Sequence, residues 1–453
     1  MLAARAAARC TRAAIQRRSC SSMRADEVYD LIVIGGGVMG SWTAIAAAQK
    51  GASVVLADQY TPAHENGSSH GDGRIYRLAY TEDIYVDMME RSLPRWRELQ
   101  DFAGEPLLHQ TGGLNIAEKD NPDPQYRLDE LGDLYARRGI THEWLSAAEV
   151  NERYPQYKLD EKLHALWQPD YGVLLASKCV MAAWEYAKHL GVTTRTGFKV
   201  AGVRTNDETG IVVEARDGAV LRGKAIVLAL GPWLTPYVSS WLGFHIPTTV
   251  SAETVCYYAP KKGAPDHSYK SMPVFIPELN NGLGPFGYYG LPMIDIPGIK
   301  ASAHYCGPVV HPDFRPESAG GNDENLWDKD AKPPDGAARA RVDEVIESTS
   351  RYIASTFPHV EHTPFTTQSC LYTTTPDHDY ILSKAPSPYG ERNVVLAGGG
   401  SGHAFKMGPA IGEAAASLAL KAEEPFDLER FDVTRLLKMK GQELDHEASG
   451  ARK

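Results

Sequence analysis

Gly35, Gly37 and Gly40 stand at G-x-G-x-x-G spacing within YDLIVIGGGVMGSWTAIAAAQKG. At that spacing the first glycine permits a tight turn, the second lets a pyrophosphate approach the backbone, and the third lets a helix pack closely on a strand. Asp58 follows at about the distance where an acidic side chain accepts ribose hydroxyls. His70, Arg74 and Arg77 lie in a polar, turn-rich stretch just beyond it and add positive charge to a loop already pointed at a nucleotide. The chemistry these types and spacings allow is the binding of a dinucleotide through its phosphates and ribose.

Elements in the right order must carry these residues. An apolar β-rich run, Leu31–Ile34, ends in the glycines, and an Ala-rich segment without proline, Val38–Lys50, has the propensity for the helix that follows. That helix would aim unpaired N–H groups and its positive dipole end at the phosphates. Ser53–Leu56 then reads as the strand ending at Asp58. Further on, Glu82–Leu99 reads as a helix with Pro94 as a kink point, and 176–190 as another. Strands are expected at Phe198–Val203, Ile211–Ala215 and Ala225–Leu230. Asn393–Ala397, the cluster Gly398-Gly399-Gly400-Ser401-Gly402 and the Ala-rich run Ile411–Leu420 repeat the order strand, glycine turn, helix. A second helix N-terminus could thereby face something electron-rich, such as the carbonyl edge of a flavin ring.

The chain has 453 residues, 43% hydrophobic and 23% charged, and a formal net charge of −10. Its length predicts two domains or more, and its acidity argues against nucleic acid as a partner. No apolar run is long enough to span a bilayer. The first 24 residues are Arg-, Ala- and Ser-rich with no acid before Asp26, the composition of a mitochondrial presequence. They predict a matrix protein, with Met23 as a second start for a form without the presequence; Ala451-Arg452-Lys453 is not a peroxisomal tripeptide. Cysteines at 10, 20, 179, 256, 306 and 370 form no C-x-x-C pair, so neither a metal site nor a disulfide framework is expected. The polar stretch 312–337 resembles a calcium loop only superficially and reads as a solvated surface insertion.

Four blocks, in this order, are VIGGGVMGSWTA, GSSHGDGRIYRLAY, the Lys300-Ala301-Ser302-Ala303-His304 spacing, and SCLYTTTPDHDY with GGGSGHAFKMGP. Together they resemble the monomeric sarcosine oxidase and pipecolate oxidase family of flavoenzymes, from about Tyr29 to Leu436. The resemblance implies FAD joined covalently through Cys370, with Gly35, Gly37, Gly40, Asp58, His70, Arg74, Gly400 and Gly402 also around the cofactor. It implies that Arg77 and Lys406 clamp the substrate carboxylate, that His304 and Tyr372 line the substrate cavity, and that Lys300 promotes reaction with oxygen.

The expected fold is α/β. A discontinuous FAD-binding Rossmann-like domain of the glutathione-reductase type (28–110, 170–245 and 367–437) would join a β-sheet-rich substrate domain (111–169 and 246–366). Residues 1–27 would be the presequence and 438–453 a tail. The expected reaction oxidises a secondary or N-methyl amino acid to an imine that hydrolyses, with O₂ accepting the electrons as hydrogen peroxide. Two alternatives stay open: a mitochondrial dehydrogenase passing electrons to a protein carrier, and a dinucleotide-binding protein without turnover.

Overall fold

The computed structural model describes residues 27–206, 210–313 and 336–438. The expected presequence before Glu27, almost all of the expected 312–337 insertion and nearly all of the expected C-terminal tail lie outside them. Two eight-stranded sheets and one three-stranded sheet organise the rest.

The first sheet is built around Val28–Ile34, which pairs in parallel with Val54–Ala57 on one side and Val220–Leu228 on the other. Val54–Ala57 and the C-terminal halves of the other two, Leu31–Ile34 and Ala225–Leu228, are apolar and buried, as strands covered on both faces must be. Thr193–Arg195 extends one edge, Val200–Asn206 and Gly210–Ala215 the other, and Val394–Gly398 pairs in parallel with Val220–Leu228. The helix Val38–Gln49 follows the glycines as expected. It packs against Gly408–Leu420 so closely that a side-chain carbon on Gly412 would collide with the Trp42 backbone.

The second sheet runs in the order Thr366–Thr374, Thr249–Tyr258, Ile299–Ala303, Tyr288–Leu291, Val274–Pro277, Gly113–Glu118, Leu163–Gln168, Glu143–Ser146. Thr366–Thr374 pairs with Thr249–Tyr258 along its whole length. A boundary at 367 therefore fails to separate the two sheets: the strand carrying Cys370 and Tyr372 belongs to the second, because its backbone hydrogen bonds are made there. The small sheet joins Gly172–Leu174 to Arg74–Tyr76 and Leu108–Gln110.

Helix boundaries follow the sequence closely. Asp83–Ala103 continues through Pro94 and ends at Gly104 in the left-handed conformation, and Ala176–His189 buries one apolar face. Gly408–Leu420 starts three residues before the expected Ile411. After Gly402 the chain makes a single 3₁₀ turn, Phe405–Met407, which runs directly into the α-helix at Gly408, against Val38 and Trp42. Among the described residues no helix is long and apolar enough to cross a membrane.

Candidate active site

The first glycine loop is fastened from two sides. Gly36 N–H donates to Asp58 Oδ2 at 2.6 Å, and its carbonyl accepts from Trp184 Nε1 at 2.7 Å. Gly35 holds φ at +97°, and a side-chain carbon on Gly40 would strike the Gly35 carbonyl, so turn and helix approach both demand glycine. Asp58 also accepts from Tyr60 N–H at 2.8 Å, and burial pushes its carboxyl above the usual range. Fixing the loop is a task for Asp58 that its spacing alone did not reveal.

Two cavities meet beyond this loop. The narrower, about 170 Å³, is lined by Gly35, Gly37, Asp58, Ser69, Thr373 and Gly400; the wider, about 600 Å³, by His70, Arg77, Lys300, His304 and Lys406. Arg74, Cys370, Tyr372 and Gly402 line both and mark their junction. The expected residues are thus brought together from both sheets, and only Gly40 stays off the walls. The helical run after the second glycine turn begins at Phe405, in a 3₁₀ turn whose first residue lines both cavities, and becomes α-helical at Gly408.

Arg77 and Lys406 converge on one tyrosine. Their charged groups lie 4.9 and 5.2 Å from the centre of the Tyr80 ring. Lys406 is 4% exposed; its Nζ donates to the His403 carbonyl at 2.6 Å, and its own carbonyl accepts from Trp96 Nε1 at 2.7 Å. Burial, and then the Arg77 charge, hold the Lys406 ammonium well below its ordinary pKa. Arg77 donates to the Ala79 carbonyl.

Lys300 and His304 lie on one side of the strand Ile299–Ala303 and the turn after it, because strand side chains alternate. Lys300 Nζ donates to the Gly73 carbonyl at 3.1 Å, which also receives Arg74 Nη1 at 3.0 Å. Burial and the Arg74 charge bring Lys300 down to about 7. His304 Nδ1 lies 3.4 Å from the Tyr372 hydroxyl, and burial with the Arg77 charge lowers the imidazole to about 3, leaving it neutral. Cys370 is 7% exposed, and no other cysteine of the described residues lines either cavity. Cys256 and Cys306 lie elsewhere, their thiols pushed up to about 12 by burial.

Sequence reasoning missed much of the aromatic wall. Tyr80, Phe286, Tyr289, Tyr305 and His378 all line the wider cavity. Tyr305 (φ 57°), His378 (φ 60°) and, in the second glycine turn, Ser401 (φ 43°) hold the left-handed conformation, which costs a non-glycine residue about 1–3 kcal/mol. The Tyr305 hydroxyl donates to the Ser401 carbonyl, tying two of these strained positions together. No periodicity or spacing signals them; clustered aromatics between 286 and 305 were the only trace.

A family profile described as FAD dependent oxidoreductase, DAO, matches residues 30–418. The chain belongs to this family. It is 30% identical over 410 residues to the human protein named peroxisomal sarcosine oxidase, covering 90% of this chain and 96% of that one. It is 28% identical to monomeric sarcosine oxidase of Bacillus sp. (strain B-0618), covering 90% and 96%. Among solved structures, NikD, described as an unusual amino acid oxidase essential for nikkomycin biosynthesis, superposes with a TM-score of 0.72. That match has 22% identity over 90% of this chain and 97% of the other, and it shows the shared fold.

The residues present fit the FAD that this DAO-family fold uses. The narrow cavity begins at the glycine loop and widens at Cys370, as a nucleotide ending in a broad ring system requires. The Ser369 and Thr373 hydroxyls on these walls are buried with no hydrogen-bond partner among the described residues, a costly arrangement unless a ligand supplies one. As a member of the family the protein is an FAD-dependent oxidoreductase.

Proposed function

We propose that this enzyme is an oxidase of secondary or N-methyl amino acids, of the sarcosine or pipecolate type, using O₂ as electron acceptor. The observation that carries the reading is the pairing of Arg77 and Lys406 over Tyr80, in a cavity that also holds Lys300 and Cys370. Two cations beside an aromatic wall suit the carboxylate of a small amino acid. FAD, when bound, supplies the two-electron chemistry that converts an amine C–H and N–H to an imine and returns the electrons to O₂ as hydrogen peroxide.

The chain's own groups do the rest. Arg77 and Lys406 hold the carboxylate. The neutral His304 ring can accept a hydrogen bond from an amine N–H without adding a competing charge. Phe286, Tyr289, Tyr305 and Tyr372 exclude water from the reacting carbon. Lys300 provides positive charge, below about pH 7, where electrons pass to oxygen. No carboxylate of the wall is needed as a base if the amine binds neutral.

Cys370 is the proposed covalent attachment point, supported by its place where the cavities meet. The test is an absorbance spectrum before and after acid precipitation, followed by anaerobic titration with sarcosine and pipecolate. A yellow precipitate, an intact mass raised by one FAD, and loss of both in Cys370→Ser are expected. Flavin recovered wholly in the acid supernatant removes the covalent link. Bleaching by amine without O₂ consumption in air moves the enzyme to a carrier-linked dehydrogenase. Import into the mitochondrial matrix is proposed from the composition of residues 1–24. A reporter fused to Met1–Asp30 should enter mitochondria, and a diffuse cytosolic signal removes that proposal.

A further inference from the structure

The strand Gly113–Glu118 carries one residue that its surroundings do not explain. Asn115 is 1% exposed, between the apolar Leu114 and Ile116, and lines the wider cavity. It stands in register with Ile276 on the neighbouring strand, so Asn115, Ile276 and Glu278 share one face of the sheet, and all three line the cavity. Asn115 Oδ1 accepts from the Tyr171 hydroxyl at 2.6 Å, and that hydroxyl is 2.9 Å from the Tyr135 hydroxyl. With the Tyr171 proton given to Asn115, Tyr135 must donate to Tyr171, and the direction of the chain is fixed. The Nδ2 group then offers two donors with no acceptor among the described residues. Arg77 and Lys406 line the same cavity as Asn115 and Glu278, so this wall and the proposed carboxylate clamp face one space.

We propose that Asn115 is a specificity residue, forming with Glu278 a polar subsite for a carboxamide on the substrate's side chain. The proposal rests on the amino acid oxidase reading above. A substrate whose α-carboxylate meets Arg77 and Lys406 lies in the same cavity as Asn115 and Glu278, and a short polar side chain can turn to this wall. Asn115 Nδ2 calls for an acceptor, and the Glu278 carboxylate beside it favours a donor and repels a second carboxylate. A primary carboxamide presents both groups, whereas an isosteric hydrocarbon leaves the Asn115 donors buried and unused.

The test uses two acids on the holoenzyme. Succinamate carries the carboxylate and the carboxamide without an oxidisable amine, and 4-methylpentanoate replaces the carboxamide by an isopropyl group of the same shape. Binding is read from perturbation of the flavin spectrum and from thermal shift. Succinamate should bind at least about tenfold more tightly, the usual penalty for stranding such donors. Asn115→Leu should bring the ratio close to one. Tyr171→Phe, which keeps the ring but frees the amide to turn, should reduce it as well and decides the matter if Asn115→Leu does not fold. Equal binding by wild type, or a ratio unchanged in the variants, overturns the subsite. Turnover of N-methyl amino acids is measured separately. A succinamate preference without any turnover sinks the oxidase reading and leaves the subsite standing; turnover without the preference sinks only the subsite.

Discussion

Arg77 and Lys406 share Tyr80, but burial bears on them differently. Guanidinium keeps its charge in any protein environment, whereas a buried ammonium beside it is pushed toward losing its proton. Lys406 is lowered well below 10.5 by burial and then by Arg77, and an arriving carboxylate favours its charged form and should raise it again. Binding should therefore take up close to one proton between the depressed and the ordinary pKa of Lys406. Affinity for a carboxylate ligand should weaken as pH rises through that range. Calorimetric titration in buffers of different ionisation enthalpy measures the proton count directly, and a count of zero shows that Lys406 does not face the ligand. Arg77→Ala should lower kcat/KM by roughly 2–4 kcal/mol for sarcosine, and by clearly less for an amine of similar size without the carboxylate. Equal losses for both would make Arg77 a structural residue.

At the scale of elements, one helix pair sets the position of Lys406, half of the proposed clamp. Val38–Gln49 and Gly408–Leu420 touch through Gly408 and Gly412, and the turn Phe405–Met407 hangs from the start of the second helix. Trp96, from Asp83–Ala103, stacks on Phe405 at 5.8 Å and holds the Lys406 carbonyl. Gly412→Ala inserts a methyl group against the Trp42 backbone, which no rotamer change relieves. It should destabilise the fold by about 1–3 kcal/mol in denaturant unfolding. The displaced turn should also weaken carboxylate binding. A stable variant with unchanged affinity would show that the two helices slide without moving Lys406.

Across the whole molecule, the site exists only where the two large sheets meet. The closing segment secures that meeting: Arg430 Nε lies 2.9 Å from Asp379 and Arg435 Nε 2.7 Å from Asp377, both on the loop after the Cys370 strand. Burying so many groups in this seam has a cost that depends on pH. His304 is held at about 3 and His403 well below its ordinary 6.5, in each case first by burial. A depressed histidine stabilises the fold fully above 6.5, and that stability is lost as pH falls toward the folded value. Melting temperature should thus fall steadily from pH 6.5 downward. His304→Gln should flatten the decline over pH 6.5 to 5 in scanning fluorimetry, and a variant with the wild-type slope would place the acid sensitivity elsewhere.

The sequence by itself determined the units whose geometry is local. Gly35 to Gly40 between an apolar strand and an Ala-rich helix can fold in few other ways, so the loop, its helix and the strand to Asp58 were legible, as were the helices near 83–103 and 176–189. The matching blocks also named residues from Arg77 to Lys406 that the structure brings to one cavity. Tertiary structure decided what depends on distant partners. Thr366–Thr374 could have completed either sheet until its hydrogen bonds to Thr249–Tyr258 were known. Asp58 fastens Gly36, Trp96 holds Lys406, and Asn115 takes its orientation from Tyr171 and Tyr135, all across separations that carry no periodic signal. Side-chain alternation predicts which face a residue takes, but only packing against another element decides what that face meets. The depressed pKa values of Lys300, His304 and Lys406 have the same origin, since desolvation is created by the elements that close over a group and not by its neighbours in the chain.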